Sequence, residues 1–263
     1  MSVLDSAKRK FMRAEEQLDC FDRNAREYFA SNPHVCTSEP YADGWETYAV
    51  EVGGDIPESI ESLAGEAAHN LRCVLDHIVY ALSPGRDEWS TYFPVCTKEA
   101  DYLCPRGRRP SRREEGLGGV PEDLIAIFDA AQPYHRGDDA ESHPLACIVR
   151  LDNADKHRTI QAASAVVKDT SGFKITIYPN VPATTPIPSF EVEWLTAGKR
   201  IPVGEKTEVF RLRITPAYNG EMDVDVKPNM QILLGDSENA ADLFLARDYI
   251  RDEVIAPVEA KIG

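Results

Sequence analysis

The sequence predicts an α+β fold: a helical bundle of about four to five helices with an antiparallel β-rich segment between the fourth and last helices. Three observations predict it. Residues 3–30 and 57–82 carry apolar side chains at steps of three and four, short β-type runs crowd into residues 173–234, and an amphipathic stretch follows them. A chain of 263 residues can bury a substantial core, and 43% hydrophobic with 28% charged residues excludes disordered and collagen-like classes. No apolar run approaches the ~20 residues needed to span a bilayer, so no membrane partner is expected.

In the first helix Leu4, Ala7, Phe11, Ala14, Leu18, Phe21, Ala25 and Tyr28 share one face, and Asn32-Pro33 end it. Residues 46–52 alternate at period two between Gly44 and Gly53-Gly54, the pattern of a half-buried strand. Pro57 suits the first turn of a second helix whose stripe is Ile60, Leu63, Ala64, Ala67, Leu71, Val74, Ile78 and Ala81, stopped by Ser83-Pro84-Gly85. Residues 91–96 have the aromatic and β-branched composition of a strand, and 105–119, rich in Gly, Pro and Arg, read as a loop. A third, short helix runs from Val120-Pro121 to before Pro133. Ser142 is the expected N-cap of a fourth, reaching about Ala165.

Runs at 173–178, 190–195, 208–215, 222–226 and 230–234 are too closely spaced for crossover helices and predict antiparallel hairpins. Asp236-Ser237 begins the last helix, with Leu243, Phe244, Ile250, Val254 and Val258 on its apolar side and a kink or end near Pro257. The expected organisation is a mainly helical part with one early strand (1–168), a β-rich part (169–236) and a C-terminal helix packing back on the bundle (237–263), forming one composite domain.

Against 29 Lys and Arg stand 44 Asp and Glu, a net charge of −15, which repels nucleic acid unless a local basic patch overrides it. Arg106, Arg108, Arg109, Arg112 and Arg113 form one such patch, a candidate phosphate anchor; Glu114-Glu115 follow at once, as in a solvated loop. The first ten residues have no apolar signal core, and the six cysteines form no Cys-x-x-Cys pair, so a cytoplasmic protein with reduced thiols is expected. His34, Cys36, Cys96 and Cys104 are the right ligand types for zinc, at a spacing that matches no knuckle. Nucleotide-binding glycine motifs, His-Glu-x-x-His and Gly-x-Ser-x-Gly are absent, and no cofactor is expected.

Two helices carry candidate chemistry. The polar half of the second bears Glu66, His69, Asn70, Arg72, Cys73, Asp76, His77 and Tyr80, with Glu66, Asn70, Cys73 and His77 inside a sector of about 60°. An imidazole beside a carboxylate and an amide has the composition of an acid–base site. On the fourth helix Arg150, Asn153 and His157 also lie within about 60° of one another, among apolar residues that predict deep burial. The same groups read structurally as a buried polar network joining the two helices.

At Arg72-Cys-Val-Leu-Asp-His77, continuing to Tyr80, the second helix resembles the Arg-x(4–6)-His signature of HEPN-domain proteins, a superfamily of helical bundles many of which are metal-independent ribonucleases. The resemblance covers little more than one helix. It implies RNA as substrate, Arg72 holding charge on the scissile phosphate, His77 moving the proton, and a homodimer across which such pairs meet. Cys73 departs from the polar residue common after that arginine. Arg136 with His143 and Arg150 with His157 fit the same spacing; the latter pair is about 20° apart on an ideal helix against about 140° for Arg72 and His77. The leading expectation is therefore an Arg/His pocket between the two helices. A non-catalytic binding or scaffold protein with an unidentified protein partner is the alternative. A metal-dependent hydrolase using His69, Asp76, His77 and His157 is the third reading.

Overall fold

The computed structural model describes residues 3–85, 91–157, 160–177, 189–215, 222–235 and 238–263. It is a mixed helical and antiparallel β protein whose chain separates into two compact units. The first comprises Met1–Asn24, Glu58–Gln161 and Leu234–Gly263; the second, Ala25–Pro57 and Ala162–Leu233.

The first unit is helical: α1 (Asp5–Ala30, whose last residues belong to the second unit), α2 (Glu58–Ala81), α3 (Glu99–Leu103), α4 (Arg112–Leu117), α5 (Glu122–Ala130), α6 (Pro144–His157), α7 (Ala241–Tyr249) and α8 (Ala256–Ile262). The apolar stripes lie where periodicity put them: Leu4, Ala14 and Leu18 of α1, Ile60, Leu71 and Ile78 of α2, Leu145 and Ile148 of α6, and Leu243, Val254 and Val258 near the C-terminus are all buried. α2 packs on α6, and α7 packs on both. A Cβ added at Gly65 would collide with the Asp155 carboxylate, so glycine is what lets α2 and α6 approach here.

Helices outnumber the four to five expected. α3 was not foreseen, and α4 lies inside the expected loop 105–119, because Ser111 and Glu114 form a reciprocal capping box. The fourth helix is described from Pro144 to His157, and Ala162–Val166 is a strand instead of its continuation. The expected start of the last helix, Asp236-Ser237, falls outside the described residues. That helix runs on past Pro257 through a π-helical turn, Ile250–Ile255, in which Ala256 N–H reaches Arg251 O. The wider turn accommodates a proline that has no N–H to give.

Residues 91–96 make no strand. Their backbone is satisfied by side chains: Phe93 N–H donates to Asp76 Oδ1 (2.9 Å), and Phe93 O accepts from Arg72 Nη2 (2.8 Å). The buried Gln132 takes Cys96 N–H (3.2 Å) and gives Nε2–H to Pro94 O (2.9 Å). The aromatic composition serves burial, with Phe93 edge-on to Phe128 at 5.4 Å.

The second unit holds β1 (His34–Pro40), β2 (Trp45–Val52), β3 (Ala162–Val166), β4 (Phe173–Ile177), β5 (Ser189–Trp194), β6 (Lys206–Thr215), β7 (Met222–Val226) and β8 (Met230–Leu234, its last residue in the first unit). One antiparallel sheet has the order β1-β2-β6-β5; β4 pairs with β7, and β3 neighbours β8. β1 was missed because it is an exposed edge strand with little to bury. It and β2, at the start of the chain, belong with the later strands. Tyr48 stacks on Phe210 at 4.9 Å, and Phe173 and Trp194 close around the same ring over a core of Val50, Val52, Val209 and Leu212.

His143, not Ser142, occupies the residue before α6, where its Nδ1 accepts Leu145 N–H (3.1 Å) while the ring lies edge-on to Tyr249. Accepting that bond requires a neutral ring, and burial, with Arg136 nearby, lowers its pKa to about 4. A base whose folded pKa lies below its unfolded value stabilises fully above the unfolded value, near 6.5, and loses that contribution as pH falls toward 4. Urea unfolding at pH 7 and pH 4 is expected to show a loss on the order of 3 kcal/mol from this residue. In His143→Gln this part of the pH dependence should vanish; an unchanged slope would remove His143 as its source.

Candidate functional site

The polar face of α2 divides between three neighbours within the first unit. Toward α1, Lys10 Nζ donates to Asn70 Oδ1 (3.1 Å), Asn70 Nδ2 donates to Gln17 Oε1 (2.8 Å), and Gln17 Nε2 donates to Glu66. His77 turns to the same helix, its Nδ1 2.9 Å from Ser6 Oγ, and burial together with Lys10 holds its pKa below the ordinary value. Toward residues 91–96, Arg72 pairs with Asp76 at 3.0 Å, and both bind the backbone of Phe93. Burial raises the Asp76 carboxyl against the opposing pull of Arg72. Arg72 and His77 thus serve different neighbours and do not converge on one point.

The third face meets α6. Gly65, His69 and Cys73 follow one another at single turns along α2, while their partners run backward on α6, Asp155 against Gly65 and Asp152 against His69, so the two helices are antiparallel. His69 Nδ1 lies 2.9 Å from Asp152 Oδ1, and Nε2 lies 3.4 Å from Cys73 Sγ. A carboxylate only accepts, so the ring proton sits on Nδ1 and Nε2 is left to accept from the thiol. Lys156 Nζ binds the other carboxylate oxygen at 2.5 Å. Asp152 is 3% exposed and cannot stay charged there unpaired; its two partners satisfy it while His69, 46% exposed, faces solvent. A reactive group, a base and an orienting acid thus lie in series at a surface.

Of the fourth-helix candidates, Arg150 is spread over two carboxylates: Nε and Nη2 bind Glu238 at 2.8 and 3.0 Å, and Nη1 binds Glu141 at 3.1 Å. Asn153 is exposed, and the His157 side chain lies outside the described residues. The arginine patch separates. Arg106 pairs with Glu115 and Arg113 with Asp129, whereas Arg108, Arg109 and Arg112 are exposed. Arg112 and Arg150 both line a cavity of about 230 Å³, together with Asp101, Glu141 and Val149.

Among the described residues, His69, Asp76 and His77 turn to separate partners; the side chain of His157, the fourth member of the third reading, lies outside them. His34 and Cys36 lie on β1 of the second unit and Cys96 and Cys104 in the first. Among the described residues one group, Cys147, Glu238 and Asp242, has ligand atoms within 4.8 Å of one another. Arg150 already supplies its positive charge, with Nη2 3.3 Å from Cys147 Sγ, and burial beside Glu238 pushes that thiol up to about 12. Sequence reasoning missed Asp152, Lys156 and the role of His69 beside Cys73. The legible signals were the one-turn steps from Gly65 to His69 to Cys73 and the i,i+4 pair Asp152 and Lys156.

The Arg72 geometry makes it a structural clamp. Arg72→Ala would leave Asp76 and the Phe93 carbonyl without their shared donor, and a loss of about 2–4 kcal/mol in urea unfolding is expected; a wild-type midpoint would dissolve the clamp. No family model matches this sequence, and no curated protein or solved structure matches it, which leaves the chemistry of the α2–α6 seam as the guide to what the chain does.

Proposed function

We propose that the chain is a hydrolase whose proton transfers run through His69. The observation that carries this reading is the placement of one imidazole, half open to solvent, between the buried Asp152 carboxylate and the Cys73 thiol. Asp152, held from the other side by Lys156, fixes the tautomer and the ring plane, so that Nε2 is the nitrogen presented to take a proton. Lys156 adds a positive charge beside the seam. In this reading the acid–base step is complete with the chain's own side chains.

Metal-independent RNA cleavage is a second reading, favoured by the presence of both Arg112 and Arg150 in the lining of one cavity. Two guanidinium groups suit a phosphodiester, although Asp101 and Glu141 at the same rim weaken the field. The homodimer implied by the HEPN resemblance belongs to this reading.

The test incubates the whole purified chain with p-nitrophenyl acetate and, separately, with mixed RNA, as wild type, His69→Ala and Arg112→Ala. The expected result is ester hydrolysis that falls by about 100-fold or more in His69→Ala and persists in Arg112→Ala. RNA cleaved by wild type and spared by Arg112→Ala would move the assignment to the second reading. Blank rates in every arm would discard both and leave a non-catalytic binding or scaffold protein.

A further inference from the structure

We infer that Cys73 is a nucleophile for acyl groups, activated by His69 and aligned by Asp152, so that ester or thioester substrates pass through an acyl-thioester on this chain. The inference rests on the acid–base reading of His69 and adds the bond that forms.

The geometry makes the thiol, not a bound water, the first proton donor to the base. Cys73 Sγ lies 3.4 Å from His69 Nε2, the nitrogen left without hydrogen because Nδ1 is committed to Asp152 at 2.9 Å. Both residues sit on α2 one turn apart, and the third member arrives from α6. The charged groups acting on the sulfur come from every side: Lys10 of α1 and Lys156 of α6 favour the thiolate, while Asp76 and Asp152 oppose it. Burial outweighs them and keeps the resting thiol protonated.

The position of Cys73 within α2 narrows the substrate class. Displacement at phosphorus by sulfur calls for a resting thiolate in a cradle of backbone N–H groups, and Cys73 lies in the middle of α2, where those groups are used by the helix. A protonated thiol with an adjacent imidazole suits attack on a carbonyl carbon instead. As the S–C bond forms, the thiol proton passes to Nε2, and the carbonyl becomes an oxyanion. Collapse breaks the C–O or C–S bond to the leaving group, which departs with the proton from Nε2. Water then adds to the thioester, giving its proton to His69, and the C–S bond breaks as sulfur recovers a proton and the carboxylic acid leaves.

The experiment mixes the whole chain with p-nitrophenyl acetate, quenches in acid and measures the intact mass and the acylated peptide for wild type, Cys73→Ala, Cys73→Ser and His69→Ala, with melting curves to establish that each variant is folded. The expected result is a burst of p-nitrophenol and one acetyl group on Cys73, absent in Cys73→Ala, with acylation slowed about 100-fold or more in His69→Ala. Cys73→Ser should accumulate a hydroxyl-borne ester slowly or not at all. The exposed Cys104 is the internal control. Acetyl groups on Cys104 and none on Cys73 would overturn the inference. Turnover retained by Cys73→Ala but lost in His69→Ala would overturn it while leaving His69 as a base for water; wild-type turnover in both variants would overturn the two together.

Discussion

One buried carboxylate organises the helical unit. Asp152 sits on the inward side of α6 at 3% side-chain exposure, where an unpaired charge would cost several kcal/mol, so its neighbours must compensate it. Compensation comes from His69 across the helix interface and from Lys156 one turn along the same helix. That requirement fixes the rotation of α6 against α2, and Gly65, which has no side chain to obstruct Asp155, fixes the distance. The apolar residues supply the bulk of the driving force for packing, but they tolerate rotation; the carboxylate does not.

A second consequence of packing irregular chain between helices is that polar side chains replace a sheet. The segment 91–96 is buried at Thr91, Phe93 and Cys96, so its peptide groups need partners. Arg72, Asp76 and Gln132 provide them. Arginine and aspartate at an i,i+4 spacing, which resemble a surface ion pair or half of a catalytic motif when read along the chain, are here part of the scaffolding for another segment.

The helices with strong periodicity were legible because burial on one face leaves a mark every three or four residues, as in α1 and α2. The strands β4 to β8 were legible as short β-type runs set off by Pro, Gly, Asn and Lys. β1 was not, since an edge strand buries little, and neither were α3 and α4, which are too short to show a period and depend on local bonds such as the box between Ser111 and Glu114. Residues 162–166 looked helical by composition, yet alanine and valine also fill a buried strand, and their pairing partner lies more than sixty residues away. The seam was half legible. Its α2 members stood on one polar face, but which helix met them was a matter of tertiary packing: His77 turned to α1, Arg72 to the 91–96 segment and His69 to α6.

The spacing between Cys73 and His69 is one turn of a single helix, so it is set by backbone pitch and is present wherever α2 is helical. The spacing between His69 and Asp152 exists only when α6 has docked. Local secondary structure therefore writes one contact and tertiary assembly the other. Loosening α6 would release the imidazole from its carboxylate while leaving the sulfur at its side.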